Sequence, residues 1–439
     1  MFTTLNAISH RNRCRVFTCA AFALALALPG TSAAQVQFED AIKDLSSENP
    51  SVRLKTLQAL RDAGYPEAAV PVSNLIIDTQ DNVQRQAIAT ELDLFLADKV
   101  TSRKDLEPSV EKRDPLSAEA AFERGPLVVG LRPVPPEVLN ALRVAAHDEN
   151  PRVALEALYA FGALTSQLDG ATRSILQRVS QQDLVTVLEG RNSSLREAAA
   201  RVIGRFYARR PNDPPVEATI GDALLAALND KDRSVRTAAL EALGDLRYEP
   251  AIQPLTDLIK TPVKGADIDG ALDALARIAS PESAAIFREQ LKSKSIARRT
   301  IAVEGLARLK GTVKLGEIQT ALAKEQEDEV LLAQSFAATM LADAPIDQLG
   351  EALVRPRVHD QARRYLIELA PGHANRFGRH AIDPDSRIRV EVAEILTLAG
   401  DRNALPLVTP LASDQDPAVA FAGGRAVAQL RQAGAKPAS

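Results

Sequence analysis

The stretch Asn229–Lys260, NDKDRSVRTAALEALGDLRYEPAIQPLTDLIK, decides the fold. Val235, Ala239, Ala242, Leu243 and Leu246 recur at helical spacing and share one face of a first helix. Gly244 and Asp245 stand near the end of that pattern, where a helix can stop in a left-handed residue. A second apolar set follows: Ala251, Ile252, Leu255, Leu258 and Ile259. Pro250 suits the start of that second helix, because the first turn needs no N–H donor from it. Two helices this short leave apolar faces uncovered. They require neighbours of the same kind.

The chain supplies them. The same order recurs: a small polar or acidic turn, an aliphatic residue with an arginine beside it, then Ala-rich apolar periodicity. It opens at Asn49, Asp81, Asn150, Asn192, Asp232, Asp385 and Asp416, with weaker copies near Asp267, Ser295, Glu329 and Arg357. Most anchors lie 28 to 42 residues apart, the period of a two-helix repeat array. The interval between Val83 and Val153 is 70 residues, so something is inserted at about 99–135. That insertion carries Pro108, Pro115, Pro126, Pro133 and Pro135, which interrupt helices. Within it we expect a short helix around Ser117–Arg124 and an extended piece around Leu127–Leu131. The second helix of that repeat should then run over Pro136–His147. The insertion reads as a solvated loop or, functionally, as a flap contacting a partner. Residues 433–439 read as a disordered tail.

Composition limits the options. Of the 439 residues, 46% are hydrophobic and 25% charged, but only 4% are aromatic, so cores must be built from small aliphatic residues. The formal charge of −4 argues against a general nucleic-acid binder. Residues 1–34 have the form of a cleavable secretory signal: Arg11, Arg13 and Arg15, an apolar run Val16–Leu28, then Ser32-Ala33-Ala34. Both cysteines, Cys14 and Cys19, fall inside it, so a processed chain has no thiol for disulfide, nucleophile or metal. No other stretch is long and apolar enough to span a membrane, which places the mature chain in the periplasm or outside the cell.

Asp232, Val235, Arg236, Ala239, Ala242, Leu243 and Gly244 together resemble the HEAT-repeat family, most closely the HEAT-like repeats named after phycobilisome lyases. The resemblance runs over about Val36–Gln432. It implies an all-α fold, an α-solenoid in which HEAT-like helix pairs wind into a superhelix behind the signal peptide. The resemblance also implies that an arginine and an acid repeated at one period bridge adjacent repeats. Arg53, Arg85, Arg152, Arg196, Arg236 and Arg389 are read as that structural ladder, with the residues before them capping helix starts.

Two further clusters invite a binding role: Arg205, Tyr207, Arg209 and Arg210, and Arg363, Arg364, Arg376 and Arg379 within an arginine-rich stretch that interleaves Tyr365 and Phe377. These are read as basic ridges facing an acidic partner. His147, His359, His373 and His380 lack metal-pair spacing, and neither a His-Glu-x-x-His motif, a P-loop nor a nucleophile elbow occurs. No cofactor, metal or catalytic residue is therefore expected. The expected role is that of a non-catalytic envelope scaffold, binding a protein partner on a concave face lined by second helices such as Ala68–Ile77, Ala251–Ile259 and Ala404–Leu411. The alternatives are a lyase-like maturation factor holding a cofactor or substrate protein, and a module binding an envelope polyanion. Oligomeric state is not legible.

Overall fold

The structure is a computed structural model that describes residues 38–97, 99–100, 110–111, 116–168, 170–209, 213–260 and 265–432. The secretory-type segment, Arg210 and the tail lie outside the described residues. After a short helix over 38–44 (α1) come α2 (Pro50–Ala63), α3 (Ala69–Ser73), α4 (Asp81–Phe95), α5 (Ala118–Arg124), α6 (Pro136–Ala145), α7 (Pro151–Leu164) and α8 (Gly170–Leu188). The middle of the chain holds α9 (Ser193–Phe206), α10 (Ala218–Ala227), α11 (Arg233–Asp245), α12 (Ile252–Lys260), α13 (Gly265–Ile278), α14 (Ala284–Gln290), α15 (Ile296–Arg308) and α16 (Leu315–Ala321). The C-terminal third holds α17 (Asp328–Ala342), α18 (Asp347–Ala352), α19 (His359–Leu369), α20 (Gly378–Ala381), α21 (Ser386–Ala399), α22 (Leu405–Leu411) and α23 (Pro417–Gln432). Among the described residues the only paired strands are Lys99–Val100 and Val110–Glu111, an antiparallel pair of two residues each.

First helices begin where the sequence places them, for a physical reason. Asn49, Asn150, Asn192, Asp232 and Asp385 accept a hydrogen bond from the backbone N–H two residues on, satisfying a donor the helix leaves over. Pro50 and Pro151 occupy the first helical position. Gly64 closes α2 at φ 65°, where its N–H reaches the Leu60 and Arg61 carbonyls. The end of α11 departs from expectation: the left-handed residue is Arg247, at φ 48°, and Gly244 is helical. Gly244 is there for close packing instead, since a Cβ on it would lie 3.1 Å from the Ala274 Cα of α13. Gly204 meets Ala242 at the same distance one repeat earlier.

The core is one run of Ala, Leu, Val and Ile between successive helix pairs. Val235, Ala239 and Leu243 are fully buried, and Leu60, Ile203, Leu366 and Leu396 hold the place of Leu243 in their own repeats. Fully burying such a leucine is worth about 1.5–3 kcal/mol. In α4 that place is taken by Glu91, completely buried with neither carboxylate oxygen hydrogen-bonded, and burial drives its pKa well up.

Between α15 and α19 the array bends toward its first helices, against the expectation that second helices line the concave face. Arg308 of α15 donates to both oxygens of Glu368 on α19, at 2.9 and 2.8 Å, passing the intervening α17. Tyr365 of α19 likewise donates to Glu304 of α15 at 2.5 Å. First helices two repeats apart can touch only where the curvature crowds them together.

Candidate partner-binding surfaces

A ladder runs along the loop edge. In α2, α9, α11, α15 and α21, one arginine of the first turn sends Nη1 to two carbonyls of the preceding turn, and the rest of its guanidinium to an acid in or beside the next loop. Arg196 shows the pattern: Nη1 meets the Gly190 and Arg191 carbonyls at 3.2 and 2.9 Å, while Nε and Nη2 meet Asp230 at 2.7 and 2.9 Å. Arg389 repeats it with the Asp383 and Pro384 carbonyls and Asp414. Arg53–Asp78, Arg236–Asp267 and Arg299–Glu325 are the others. Asp230 and Asp414 are held below the ordinary carboxylate range first by these arginines. Asp230 also accepts the Asp232 N–H, so this rung is tied to the cap of the next helix.

Register separates the remaining candidates. In α4 the rung is Gln84, which donates to Asp148 at 2.8 Å; Arg85, one residue on, pairs instead with Glu156. Arg152 is exposed, and Ala154 stands at the rung position of α7. In α15 the rung is Arg299, so the repeat anchor there is Arg298 rather than Ile296.

Among the described residues of the two clusters, all but Arg364 are occupied within the chain. Arg205 lies over the Phe122 ring, 3.7 Å from its centroid, and donates to the Phe122 carbonyl; burial lowers its pKa. Tyr207 is buried and its hydroxyl donates to the Gln177 carbonyl at 2.5 Å. Arg209 bonds the Asp213 carbonyl at 3.2 Å, and its N–H reaches the Asp245 carbonyl. Arg363 bridges Glu391 and Glu394, Arg376 meets Asp343, and Arg379 meets Asp347. Arg364 is exposed. Tyr365 and Phe377 are core residues, so no surface ridge of alternating arginine and aromatic rings exists. The inward stripe of first helices carries paired charges that sequence reading passed over: Asp245 with Arg277, and Arg308 with Glu304 and Glu368. Their signal was a charged residue recurring at two set places in otherwise Ala-rich helices.

Residues 116–135, the longest described part of the insertion, pack on the array instead of standing free as a solvated loop. Ser117 caps α5 as expected, but Ala121, Phe122 and Val129 are buried. Phe122 packs so tightly on α7 that a Cβ at Gly162 would lie 2.8 Å from its ring. Beyond α5, Arg425 of α23 donates to the carbonyls of Leu127 and Val129. Residues 127–129 thus act as a clasp joining α23 to the early repeats.

A row of aliphatic side chains on second helices stays exposed. Val70, Ile77, Val144, Ile175 and Val179 are each between 44% and 58% exposed. They sit on or just after α3, on α6 and on α8, the second helices of three successive repeats. Arg143 and His147 of α6 both face Asp183 of α8, which holds those two helices side by side. Exposed aliphatic side chains on neighbouring helices are candidate anchors of an interaction surface.

Residues 181–266 match the family model for HEAT repeats. Among curated protein sequences none matches. An engineered protein of known structure aligns over 90% of this chain and 98% of its own, at 18% identity and a TM-score of 0.44. Kap121p aligns over 91% of this chain and 46% of its own, at 14% identity and 0.39. A chain from a structure of the cadherin–β-catenin interaction aligns over 90% and 94%, at 15% identity and 0.40. By its own described helix pairs the molecule is an α-helical solenoid, and its residues 181–266 match HEAT repeats.

Proposed function

We propose that this chain is a non-catalytic scaffold that holds a protein partner in the cell envelope. The observation that carries the reading is the aliphatic row on α3, α6 and α8, which the solenoid leaves facing water while pairing most of its arginines internally. A second-helix surface offers area spread over several repeats, and a few buried aliphatic anchors supply most of the energy. The secretory form of residues 1–34 supports the envelope location. Capture from envelope extracts tests both parts. The parent should retain one stoichiometric protein, and Ile175→Asp with Val179→Asp should lose it while melting as the parent does. Retention by the double variant would sink the assignment of this face, and an unprocessed chain in the cytosol would sink the location.

A further inference from the structure

The ladder predicts its own gaps. Each arginine rung reaches the carbonyls six and five residues before it, as Arg299 reaches Ser293 and Lys294. In α17 the rung position holds Leu331, which is exposed, and in α19 it holds His359. His359 turns aside: its ring nitrogens meet Asp360 at 2.8 Å and Glu391 at 3.0 Å. Six and five residues before it stand Leu353 and Val354. The acid of this rung is Asp383, the counterpart of Asp230; its carboxylate accepts the Asp385 N–H at 2.9 Å, as Asp230 accepts Asp232, but no arginine reaches it from α19. Beside the gap lies an open cleft of about 480 Å³. Leu353, Val354 and Pro356 line it together with His359, Ser386, Arg387, Val390 and Glu391.

We infer that this cleft receives the guanidinium of an arginine side chain presented by a partner protein. Five equivalent places in the same chain show what two loop carbonyls and a following acid hold. Each holds a planar cation, donating to both sides at once. The apolar wall of Leu353, Pro356 and Val390 fits the aliphatic stem of such a side chain. Glu391 and Asp416 also line the cleft, Glu391 being shared already by Arg363 and His359. Arg387 at its edge is already tied to Asp385. The site is an addition to the scaffold reading, which supplies only the source of the arginine.

The test titrates the full chain with N-acetyl-L-argininamide and follows backbone resonances. Saturable shifts should centre on 353–359 and 383–391. N-acetyl-L-lysinamide should bind at least tenfold more weakly, since an ammonium lacks the fork. Guanidinium chloride should also bind more weakly; equal affinity would assign the site to the free ion and overturn the side-chain source. His359→Arg should fill the gap with a native-like rung, raise the melting temperature and abolish argininamide binding. Asp383→Asn keeps the backbone contact but removes the charge, and should weaken binding at least fivefold. Parental affinity in both variants, or no saturable shift in the parent, overturns the inference. Capture through Ile175 and Val179 is measured separately, so either result can fail without the other.

Discussion

Repeats α9–α12 and repeats α17–α20 share a period but not their chemistry. In the first region Arg196 and Arg236 make full rungs, the helix starts are capped by Asn192 and Asp232, and Ala-on-Gly contacts bring the first helices together. In the second, α17 and α19 have no side-chain cap, the rungs are Leu331 and His359, and the inner stripe is held by Tyr365, Glu304, Arg308 and Glu368. The lesson is that the apolar interhelical face defines this fold, while the ladder is an accessory that can be dropped. Where it is dropped, binding capacity becomes available.

The sharpest way to break the comparison is Leu243→Asp. A charge buried between repeats without a partner should cost more than about 4 kcal/mol. Because each repeat leans on its neighbours, protease sensitivity should spread outward from α11. An unchanged melting curve would mean that the regular region does not depend on that face.

Next comes Glu91→Leu, which installs in α4 the residue type its counterparts carry. It should stabilise the chain by about 1–3 kcal/mol at neutral pH. The sign follows from the raised pKa of Glu91. A neutral Glu91 is tolerated below the unfolded carboxyl value of about 4.3, and its contribution is lost as pH rises through the elevated folded value. The gap in melting temperature between Glu91→Leu and parent should therefore widen from acidic to neutral pH. A constant gap would show that Glu91 gains a partner.

The mildest test compares arginines. Arg196→Ala strips a mostly buried carboxylate of its partner and should cost about 1–3 kcal/mol, whereas Arg152→Ala, at an exposed position off the ladder, should stay within about 0.5 kcal/mol. Equal losses in chemical denaturation would remove the distinction between rung and surface arginine.

The solenoid was legible because its signals are local: the cap, the aliphatic anchor and the helical apolar stripe all lie within one repeat. Rung register was only partly legible. Gln84 and Arg299 show that the pairing depends on distance to the loop carbonyls, and a neighbouring arginine one residue away looks identical in sequence. The inside-out curvature and the clasp were not legible. They rest on contacts such as Arg308 with Glu368 and Arg425 with Val129, which join residues far apart in the chain. The arginine clusters misled because charge density says nothing about whether an acid already stands opposite.

The grip of Arg425 on the Leu127 and Val129 carbonyls has a mechanical consequence. An open stack of repeats frays from its last member, which has a neighbour on one side only. Here the last helix is hooked to a segment nearly three hundred residues upstream, so the stack behaves as a hoop. Peeling it from the C-terminus requires unhooking first, and the early repeats feel that release directly.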